Sequence, residues 1–167
     1  MAVDLGCGSG AIAAALLSSV PTLDVHAADV DPAAVDCARR NLPAERVHEG
    51  DLYDALPAGL RGRVALVAAN APYVPTDEIA TMPPEARDHE ARVALDGGPD
   101  GLDVQRRVIA EAPRWLAPGG VVLVETSRAQ AESTCAAMRA AGLAASLRRD
   151  PGTDATVAVG QGRELHQ

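Results

Sequence analysis

Phenylalanine is absent from this sequence, and aromatic residues are scarce throughout: two tyrosines and one tryptophan occur among 167 residues. A core therefore has to be built from alanine, valine and leucine, whose small side chains favour close packing of helices on a sheet. Basic residues are too few to balance the acidic ones, which leaves a formal net charge of −8. Tight binding to a nucleic-acid backbone needs clustered lysine and arginine, so this balance argues against a nucleic-acid partner.

Cysteine and long apolar runs are also scarce. Cys7, Cys37 and Cys135 are far apart and lack Cys-x-x-Cys spacing, so neither a disulfide framework nor a zinc knuckle is indicated. A reducing cytoplasm is the compartment that fits them. No apolar stretch is long enough to span a bilayer, and the amino terminus lacks a charged segment followed by an apolar one. None of the four histidines has metal-ligand spacing to another histidine or cysteine. We expect no membrane and no metal.

The rest of the sequence alternates between short apolar runs and helical patterns. Strands without polar interruptions that alternate with helices predict a parallel sheet covered on both faces. The last two runs predict a closing hairpin, with one antiparallel strand near the carboxyl-terminal edge. The fold class is therefore α/β, a doubly wound and mostly parallel seven-stranded sheet, and residues 1–167 are expected to form a single domain. The predicted strands are AVDL, LDVHAAD, RVHEGD, RVALVAAN, VVLVE, LAASLRRD and ATVAVGQG, and the predicted helices are AIAAALLSSV, DPAAVDCARRNL, LDVQRRVIAEAPRWL and AQAESTCAAMRAAG.

A glycine loop joins the first strand to the first helix. The run DLGCGSGAI places Gly6, Gly8 and Gly10 where a ligand can approach the backbone, beside the free N–H groups of a helix amino terminus. The dinucleotide pattern Gly-x-Gly-x-x-Ala is satisfied by Gly6, Gly8 and Ala11. The S-adenosylmethionine version, Gly-x-Gly-x-Gly, is satisfied as well. The loop alone leaves both cofactors open, with a purely structural turn as the alternative.

Acidic residues end the second and third predicted strands. Asp29 follows the glycine loop at the distance where a carboxylate accepts hydrogen bonds from the ribose hydroxyls of either cofactor, with Val30 beside it. Asp51, followed by Leu52, ends the third strand, where its side chain could reach an adenine amino group. The alternative for Asp51 is a solvated turn residue.

Four further residues near these strand ends are assigned from their positions. Asp4 precedes the glycines and either pairs with the amino group of a methionine moiety or orders the loop. Cys7 belongs to the binding loop as a small residue rather than as a reactive thiol. Asp31 is a predicted helix N-cap, with Pro32 at the first helical position.

The fourth apolar strand ends in an unusual turn, Asn70, Ala71, Pro72 and Tyr73. In a doubly wound sheet this end lies next to the glycine loop. The Asn70 side-chain oxygen and the Ala71 carbonyl are two acceptors suited to a planar –NH2 group that is conjugated to a carbonyl or ring. Pro72 fixes the turn and Tyr73 offers a flat face. A plain turn after a strand is the alternative.

A pair of acceptors in this position suggests how an unreactive amino nitrogen could be activated. They would hold its hydrogens, keep the nitrogen in line with a sulfonium methyl and favour a pyramidal nitrogen. The nitrogen-bound proton becomes acidic only once the methyl group has transferred, so no strong general base is needed.

The turn resembles the Asn-Pro-Pro-Tyr motif of amino-methyltransferases, which act on glutamine amides or on the amino groups of adenine and cytosine. Ala71 replaces the first proline of that motif, and its backbone carbonyl remains. More of the chain resembles one branch, the release-factor glutamine N5-methyltransferases, and the segment from His89 to Asp103 is the most specific part. The segments that carry this resemblance are VDLGCGSGAIA, ADVDPAAVDCARRNL, GDLYDAL, NAPYVP and HEARVALDGGPDGLDVQRRVIAEAPRWLAPGGVVLVE.

The resemblance implies a class I methyltransferase with a Rossmann-like fold and S-adenosyl-L-methionine as its cofactor. The chain looks like the catalytic domain without the family's N-terminal helical domain. Its implied substrate is a glutamine side-chain amide of a protein, a peptide chain release factor or a related protein. Three alternatives remain: an amino-methyltransferase acting on a nucleic-acid base, a nicotinamide-dependent oxidoreductase and a non-catalytic relative that binds the cofactor.

Two regions outside these motifs also carry expectations. The stretch from Val74 to Leu102 has little periodicity, and long irregular segments in compact domains are often functional. We expect a lid on the substrate side, shaped by Arg87, His89, Glu90 and Arg92, with a surface wrap held by salt bridges as the alternative. Trp115 is expected to pack in the core rather than to stack on a ligand.

Overall fold

The computed structural model describes residues 1–82, 92–153 and 155–164, without the side chains of residues 92 and 93. Within these residues, short 3-10 turns supplement the regular elements at Ala44–Arg46, Leu52–Ala55, Ala58–Leu60 and Thr76–Thr81. The strands are β1 (Ala2–Leu5), β2 (Val25–Asp29), β3 (Val47–Glu49), β4 (Val64–Ala69), β5 (Leu116–Thr126), β6 (Ala144–Arg149) and β7 (Thr156–Gln161), and the helices are α1 (Ala11–Ser19), α2 (Pro32–Asn41), α3 (Arg92–Leu95), α4 (Asp103–Trp115) and α5 (Ala131–Ala140).

The strands form a seven-stranded sheet in the order β3-β2-β1-β4-β5-β7-β6. Strands β1 to β5 are parallel, and β7 runs antiparallel to both β5 and β6. This arrangement confirms the predicted doubly wound, mostly parallel sheet with an antiparallel strand near its carboxyl-terminal edge. The order also brings the carboxyl ends of β1, β2 and β4 together, where open α/β sheets bind their ligands.

The two faces of the sheet carry different cores. Alternate residues of β1 separate them, because Val3 and Leu5 belong to the cluster that includes α4 and α5, whereas Ala2 belongs to the cluster that includes α1 and α2. The second cluster is rich in alanine, with Ala13 and Ala38 both fully buried. Small side chains bring these helices close to the sheet, as the lack of phenylalanine predicts.

The scarce aromatic residues are concentrated in the first cluster. Tyr53 and Trp115 are both buried, and their rings stack with centroids 5.4 Å apart. The Tyr53 hydroxyl donates to the Val108 carbonyl at 3.1 Å, so burying it leaves no unpaired polar group. The structure confirms that Trp115 packs in the core.

Helix ends follow the signals in the sequence. The Asp31 carboxylate accepts a hydrogen bond from the Ala33 amide at 2.9 Å, and Pro32 takes the first helical position of α2. Gly142 closes α5 with a φ of 82° and donates to the Arg139 carbonyl at 3.0 Å. Among the described residues, no helix combines the length and the apolar character needed to cross a membrane.

The start of β5 differs from the sequence prediction. The segment APGG was expected to end a helix and precede a strand at Val121, but β5 begins at Leu116 and includes it. Pairing with β4 shifts register between Val64 and Leu66, so the strand passes through an irregularity at this point. A Cβ on Gly120 would lie 2.8 Å from the Val64 carbonyl oxygen, and glycine therefore lets the two strands stay paired.

The predicted long irregular segment contains more local structure than its sequence suggests. A 3-10 turn covers Thr76–Thr81, α3 follows at Arg92–Leu95, and Val74 forms an isolated parallel bridge with Asp96. Of the residues expected to shape a lid, Arg87, His89 and Glu90 lie outside the described residues. Only the backbone of Arg92 is described.

Candidate active-site cleft

A cleft of about 420 Å³ opens at the carboxyl ends of β1, β2 and β4. Its volume is within the range of about 300 to 1,000 Å³ that is typical of small-molecule sites. The predicted site residues that line it are Gly6, Gly8, Asp29, Val30, Asp51, Leu52, Asn70, Ala71 and Pro72. The lining residues that sequence reasoning missed are Leu5, Asp31, Ala34, Ala94, Val104 and Arg107.

The glycine loop presents its backbone to this cleft. Gly6 and Gly8 have φ values of 64° and 54°, a left-handed conformation that glycine adopts without strain. A Cβ added at Gly8 would meet nothing within 4 Å, because the space in front of it belongs to the cleft. A ligand can therefore approach the Gly8 backbone directly.

Gly10 packs against α2 and the residue that follows it. It is buried, does not line the cleft, and precedes α1 with a φ of 79°. A Cβ at this position would lie 2.8 Å from Leu42 Cδ1 and 3.4 Å from the Ala38 Cβ. Glycine at this position allows the loop to pack closely against α2. The predicted contact of Gly10 with a cofactor stays a prediction.

Asp29 lies at the end of β2 and lines the cleft, as predicted. Each of its carboxylate oxygens already accepts a backbone hydrogen bond, one from the Gly8 amide at 2.8 Å and one from the Asp31 amide at 2.9 Å. The carboxylate thus fixes the shape of the glycine loop. Each oxygen has a further acceptor position, so the predicted contact with ribose hydroxyls stays compatible with these bonds.

Asp4 is fully buried behind the glycine loop and does not line the cleft. One carboxylate oxygen accepts from the Ala13 amide at 3.1 Å in the first turns of α1, which matches the loop-ordering interpretation rather than the contact with a methionine moiety. The other oxygen, Oδ1, has no partner among the described residues. Burial raises the pKa of Asp4 to about 6, and the nearby Asp29 charge adds to the effect, whereas the Ala13 bond opposes it.

Cys7 also lies behind the loop. Its side chain is packed in the alanine-rich cluster with α1 and α2, and its amide donates to the Ala28 carbonyl at 3.0 Å. Burial, together with the negative charges of Asp4 and Asp29, raises the pKa of the Cys7 thiol to about 12. Cys7 is predicted to belong to the binding loop as a small residue, and its side chain supports that loop from the core. Its thiol stays protonated.

Asp51 forms an ion pair across the cleft rim that the sequence did not predict. Its Oδ2 lies 2.5 Å from Arg107 Nη2 of α4, and both side chains are about half exposed. The hydrogen bond that Arg107 donates to the Asp51 carboxylate raises the pKa of the Arg107 guanidinium. This arginine is 56 positions away along the chain, and no local pattern marks it as a partner. Asp51 still lines the cleft, but one of its oxygens is engaged by the protein.

Leu52, beside Asp51, is the one non-glycine residue with positive φ in the described part of the chain, at 48°. A branched side chain in this conformation costs about 1 kcal/mol. Such local strain is concentrated at functional sites, where the surrounding structure holds it in place. The position of Leu52 in the cleft lining agrees with the predicted cofactor contact.

The Asn70 turn lies beside the glycine loop, as predicted. A Cβ built on Gly6 would lie 3.7 Å from the Asn70 carbonyl oxygen, so the two segments are in contact. Asn70 is exposed and lines the cleft, and Ala71 is buried. Within the described residues, no hydrogen bond engages the Asn70 carboxamide or the Ala71 carbonyl. Both predicted acceptors are therefore without a hydrogen-bond partner in the part of the chain that the structure describes, and both residues line the cleft.

Tyr73 is placed differently from the other three residues of the turn. It is partly buried and does not line the cleft, and its backbone carbonyl accepts a hydrogen bond from Gln130 Nε2 at 2.9 Å. The expected contact of its ring with a substrate stays a prediction. Sequence reasoning also missed Gln130, which precedes α5 and has no motif of its own.

Among the described residues, no group of three or more histidine, cysteine, aspartate or glutamate side chains could hold a metal ion. His26 and His48, which lie on neighbouring strands, instead contact each other. His26 Nδ1 is 2.9 Å from His48 Nε2, and His26 Nε2 is 2.7 Å from Arg46 Nη1. Because arginine only donates, His26 Nε2 accepts and its proton lies on Nδ1.

A doubly wound sheet with a glycine loop after its first strand and a ligand-sized cleft at its strand ends defines a class of nucleotide-cofactor-binding α/β proteins. The solved structure of a methyltransferase from Pyrococcus furiosus has this fold. It matches with a TM-score of 0.71 over 98% of this chain and 75% of that chain. The sequence identity of 17% means that this likeness concerns the fold alone.

The family is shown by the sequence. Residues 1–142 match the model of the "Methyltransferase small domain", and the chain belongs to this family. Membership implies S-adenosylmethionine as the methyl donor. The cleft fits such a group, because the open space at Gly8 and the Asn70 carboxamide, which no described residue engages, both face it.

Curated relatives carry a more specific name. A release factor glutamine methyltransferase from Deinococcus radiodurans is 40% identical over 148 residues, which are 89% of this chain and 53% of that protein. The protein of the same name from Streptomyces coelicolor is 47% identical over 130 residues, which are 77% of this chain and 46% of that protein. The chain thus spans about half the length of the curated relatives it matches.

Proposed function

We propose that the chain is a catalytic domain that transfers a methyl group from S-adenosylmethionine to the side-chain amide nitrogen of a protein glutamine. A peptide chain release factor is the proposed substrate, because the relatives from Deinococcus radiodurans and Streptomyces coelicolor are named for that activity. The proposed compartment is the cytoplasm, which agrees with the three free cysteines. Residues 1–167 are proposed to form one domain.

The observation that carries this proposal is the pair of hydrogen-bond acceptors in the turn after β4. The Asn70 side-chain oxygen and the Ala71 carbonyl are not used by the described part of the protein, and both residues line the cleft next to the glycine loop. A primary carboxamide has two N–H donors on one nitrogen, which matches a pair of acceptors. A nicotinamide-dependent reaction gives this pair no role.

The proposed cofactor contacts come from the opposite wall of the cleft. The Gly6 and Gly8 backbones are open to the cleft, and Asp29 retains acceptor capacity for ribose hydroxyls. Val30 is 51% exposed and gives an apolar surface for a flat ring. Asp51 and Leu52 complete the proposed adenosine site.

S-adenosylmethionine supplies an electrophilic methyl group when it is bound. The chain's own residues position the nitrogen that receives it. Asn70 and Ala71 accept the two amide hydrogens, and in doing so they orient the nitrogen and favour the pyramidal geometry it must adopt. Pro72 keeps the turn rigid, so these acceptors do not have to be ordered when substrate binds. The departing proton passes to solvent.

Calorimetric titrations with S-adenosylmethionine and with NAD test the cofactor assignment. We expect binding of S-adenosylmethionine and no heat from NAD. Binding of NAD alone would contradict the proposal, because the glycine spacing also fits a dinucleotide.

Labelled methyl transfer tests the substrate. The purified chain is incubated with labelled S-adenosylmethionine and a bacterial release factor, and the labelled residue is mapped by mass spectrometry. We expect one methyl group on a glutamine side chain, and a release factor with that glutamine replaced by asparagine serves as the control. Label on nucleic acid from a total lysate, with none on protein, would contradict the proposed substrate.

A further inference from the structure

The acceptor turn, defined as Asn70–Tyr73, is held from behind by a side chain that lies far away in the sequence. Gln130 immediately precedes α5, and its Nε2 donates to the Tyr73 carbonyl at 2.9 Å across 57 positions of the chain. This contact joins the turn after β4 to the loop after β5. It approaches the turn on the side away from the cleft, because neither Gln130 nor Tyr73 lines the cleft.

The Gln130 carboxamide is fully used by backbone and side-chain partners. Besides Tyr73, its Nε2 donates to the Asp100 carbonyl at 2.9 Å, so both hydrogens are engaged. Its Oε1 accepts from the Ser127 hydroxyl at 2.8 Å, which fixes the orientation of the amide. No nitrogen donor is left for a substrate, and a direct role in catalysis is excluded.

The space around this amide is filled. Gly101 has a φ of 75°, and a Cβ on it would lie 2.3 Å from Gln130 Nε2 and 2.3 Å from the Tyr73 carbonyl oxygen. Three chain segments therefore converge on one carbonyl, and only glycine fits at one of them. The Tyr73 carbonyl oxygen thus lies close against Gly101 and accepts a hydrogen bond from Gln130.

Three further hydrogen bonds extend the support along the chain. The Val74 amide donates to the Leu95 carbonyl at 3.0 Å, and the Thr76 amide donates to the Gly98 carbonyl at 3.0 Å. The Asp96 carboxylate accepts from the Thr76 hydroxyl at 2.6 Å. The segment after the turn is thus tied to the loop that Gln130 also contacts.

We propose that Gln130 is a positioning residue that sets the location of the two acceptors by fixing the Tyr73 carbonyl. The inference rests on the proposed function and deepens it, because it concerns the same turn. Acceptors placed about 1 Å from their productive position reduce turnover by about 100-fold. The hydrogen bonds of Gln130 go to Tyr73, Asp100, Ser127 and Thr134 and not to the glycine loop, so its loss is expected to leave cofactor binding intact.

The test compares Gln130→Glu with Gln130→Met in the full chain. Glutamate has the same shape but presents an oxygen to two carbonyls at high pH, and its protonated form can donate to one of them at low pH. Methionine cannot donate at any pH. We expect both variants to lose turnover by about 100-fold at high pH, with affinity for S-adenosylmethionine changed by less than about twofold.

The signature of positioning is the pH profile. The ratio of Gln130→Glu turnover to wild-type turnover is expected to rise as pH falls, whereas the ratio for Gln130→Met stays flat. The matched control is Cys135→Ala, which makes a small cavity in the same helix, away from the turn. It is expected to lower stability without lowering turnover. A loss of turnover in Cys135→Ala equal to that in Gln130→Glu would overturn the proposal.

Amide hydrogen exchange separates this proposal from the proposed function. We expect exchange at Val74 and Thr76 to increase at least about tenfold in both Gln130 variants, with exchange at Gly8 unchanged. Unchanged exchange at Val74 together with wild-type turnover would overturn the positioning role. If the wild-type chain methylates no release factor, the proposed function fails, and the exchange data alone decide whether Gln130 holds the turn.

Discussion

The two walls of the cleft use their polar groups in opposite ways. On the glycine-loop side, acidic side chains bind the protein's own backbone: Asp29 accepts from the Gly8 amide and Asp4 accepts from the Ala13 amide. On the acceptor-turn side, the Asn70 carboxamide has no bond within the described residues, and the turn is held by its Tyr73 backbone carbonyl. The glycine-loop wall is therefore held by side chains that bind its own backbone. The acceptor-turn wall is held by Gln130, and its side-chain acceptor is not engaged by any described residue.

This difference corresponds to two tasks. A cofactor site benefits from backbone donors in a fixed concave loop, and carboxylates that bind N–H groups stabilise such a loop. A site that positions a reacting nitrogen needs acceptors that are unpaired before the substrate arrives, and unpaired acceptors cannot contribute to their own placement. Substitutions on the two walls should therefore separate binding, turnover and stability.

The largest effect is expected for Asn70→Ala. Removing one of the two acceptors should lower turnover by about 10² to 10³-fold and leave affinity for S-adenosylmethionine nearly intact. Labelled methyl incorporation measures the first quantity and calorimetry the second. Ser146→Ala on β6, far from the cleft, is the control. Turnover equal to wild type in Asn70→Ala would show that the free carboxamide has no part in the reaction.

Gly101→Ala tests whether the acceptor turn depends on its outside support. The new methyl group would collide with Gln130 Nε2 and the Tyr73 carbonyl oxygen, both 2.3 Å away, in a backbone conformation that disfavours alanine. We expect a loss of roughly 3 kcal/mol or more in the free energy of unfolding. Urea denaturation measures it. Gly59→Ala, where an added Cβ meets nothing within 4 Å, should change stability little.

Asp4→Asn should remove a pH-dependent contribution of Asp4 to the free energy of unfolding. The pKa of Asp4 in the folded chain, about 6, is above its ordinary value of 3.8, so its contribution to stability is fully present below pH 3.8 and is lost as pH rises through 6. The difference in unfolding free energy between variant and wild type should shift by about 3 kcal/mol in favour of the variant across that range. Denaturant titrations at a series of pH values measure it, and a difference independent of pH would contradict the raised pKa.

Gly8→Ala and Gly10→Ala should separate binding from packing within one loop. Both substitutions cost about 1 kcal/mol through positive φ. At Gly8 the new methyl enters the cleft, so affinity for S-adenosylmethionine should fall by at least about tenfold. At Gly10 it meets Leu42 Cδ1 at 2.8 Å, so stability should fall further while affinity changes less. If one of the two variants lost more in both cofactor affinity and unfolding free energy, the two glycines would not have separate roles in binding and packing.

The smallest effect is expected at the outer edge of the glycine-loop half. Burial and the positive charge of Arg46 lower the pKa values of His26 and His48, with Arg39 adding to the effect at His48 and Asp24 opposing it at His26. Their contribution to stability is therefore present above pH 6.5 and is lost as pH falls through the folded pKa values. His48→Gln should flatten the fall in melting temperature on the acid side. If melting temperature falls with decreasing pH equally steeply in His48→Gln and in wild type, other groups are responsible for the loss of stability in acid.

Much of the cleft could be predicted because its motifs are local. The glycine spacing, Asp29 at the end of β2 and Asn70 at the end of β4 each follow from a strand and the few residues after it. Parallel strands then place these ends at one edge of the sheet. Tertiary packing adds contacts at the motif positions that the motif itself does not specify. Gly10 completes the glycine pattern and also packs against Leu42, and the Cys7 side chain lies in the core, while their predicted part in cofactor binding stays a prediction.

The sequence by itself determined the alternation of strands and helices, the mostly parallel sheet and the positions of the glycine loop and the acceptor turn. Hydrophobic periodicity and turn chemistry act over a few residues, so they can be recognised without knowing the fold. Only the tertiary structure decided that Arg107 pairs with Asp51, that Gln130 holds Tyr73 and that β7 lies between β5 and β6. These partners are brought together by the packing of whole elements, and no local pattern specifies which distant residue will be nearby.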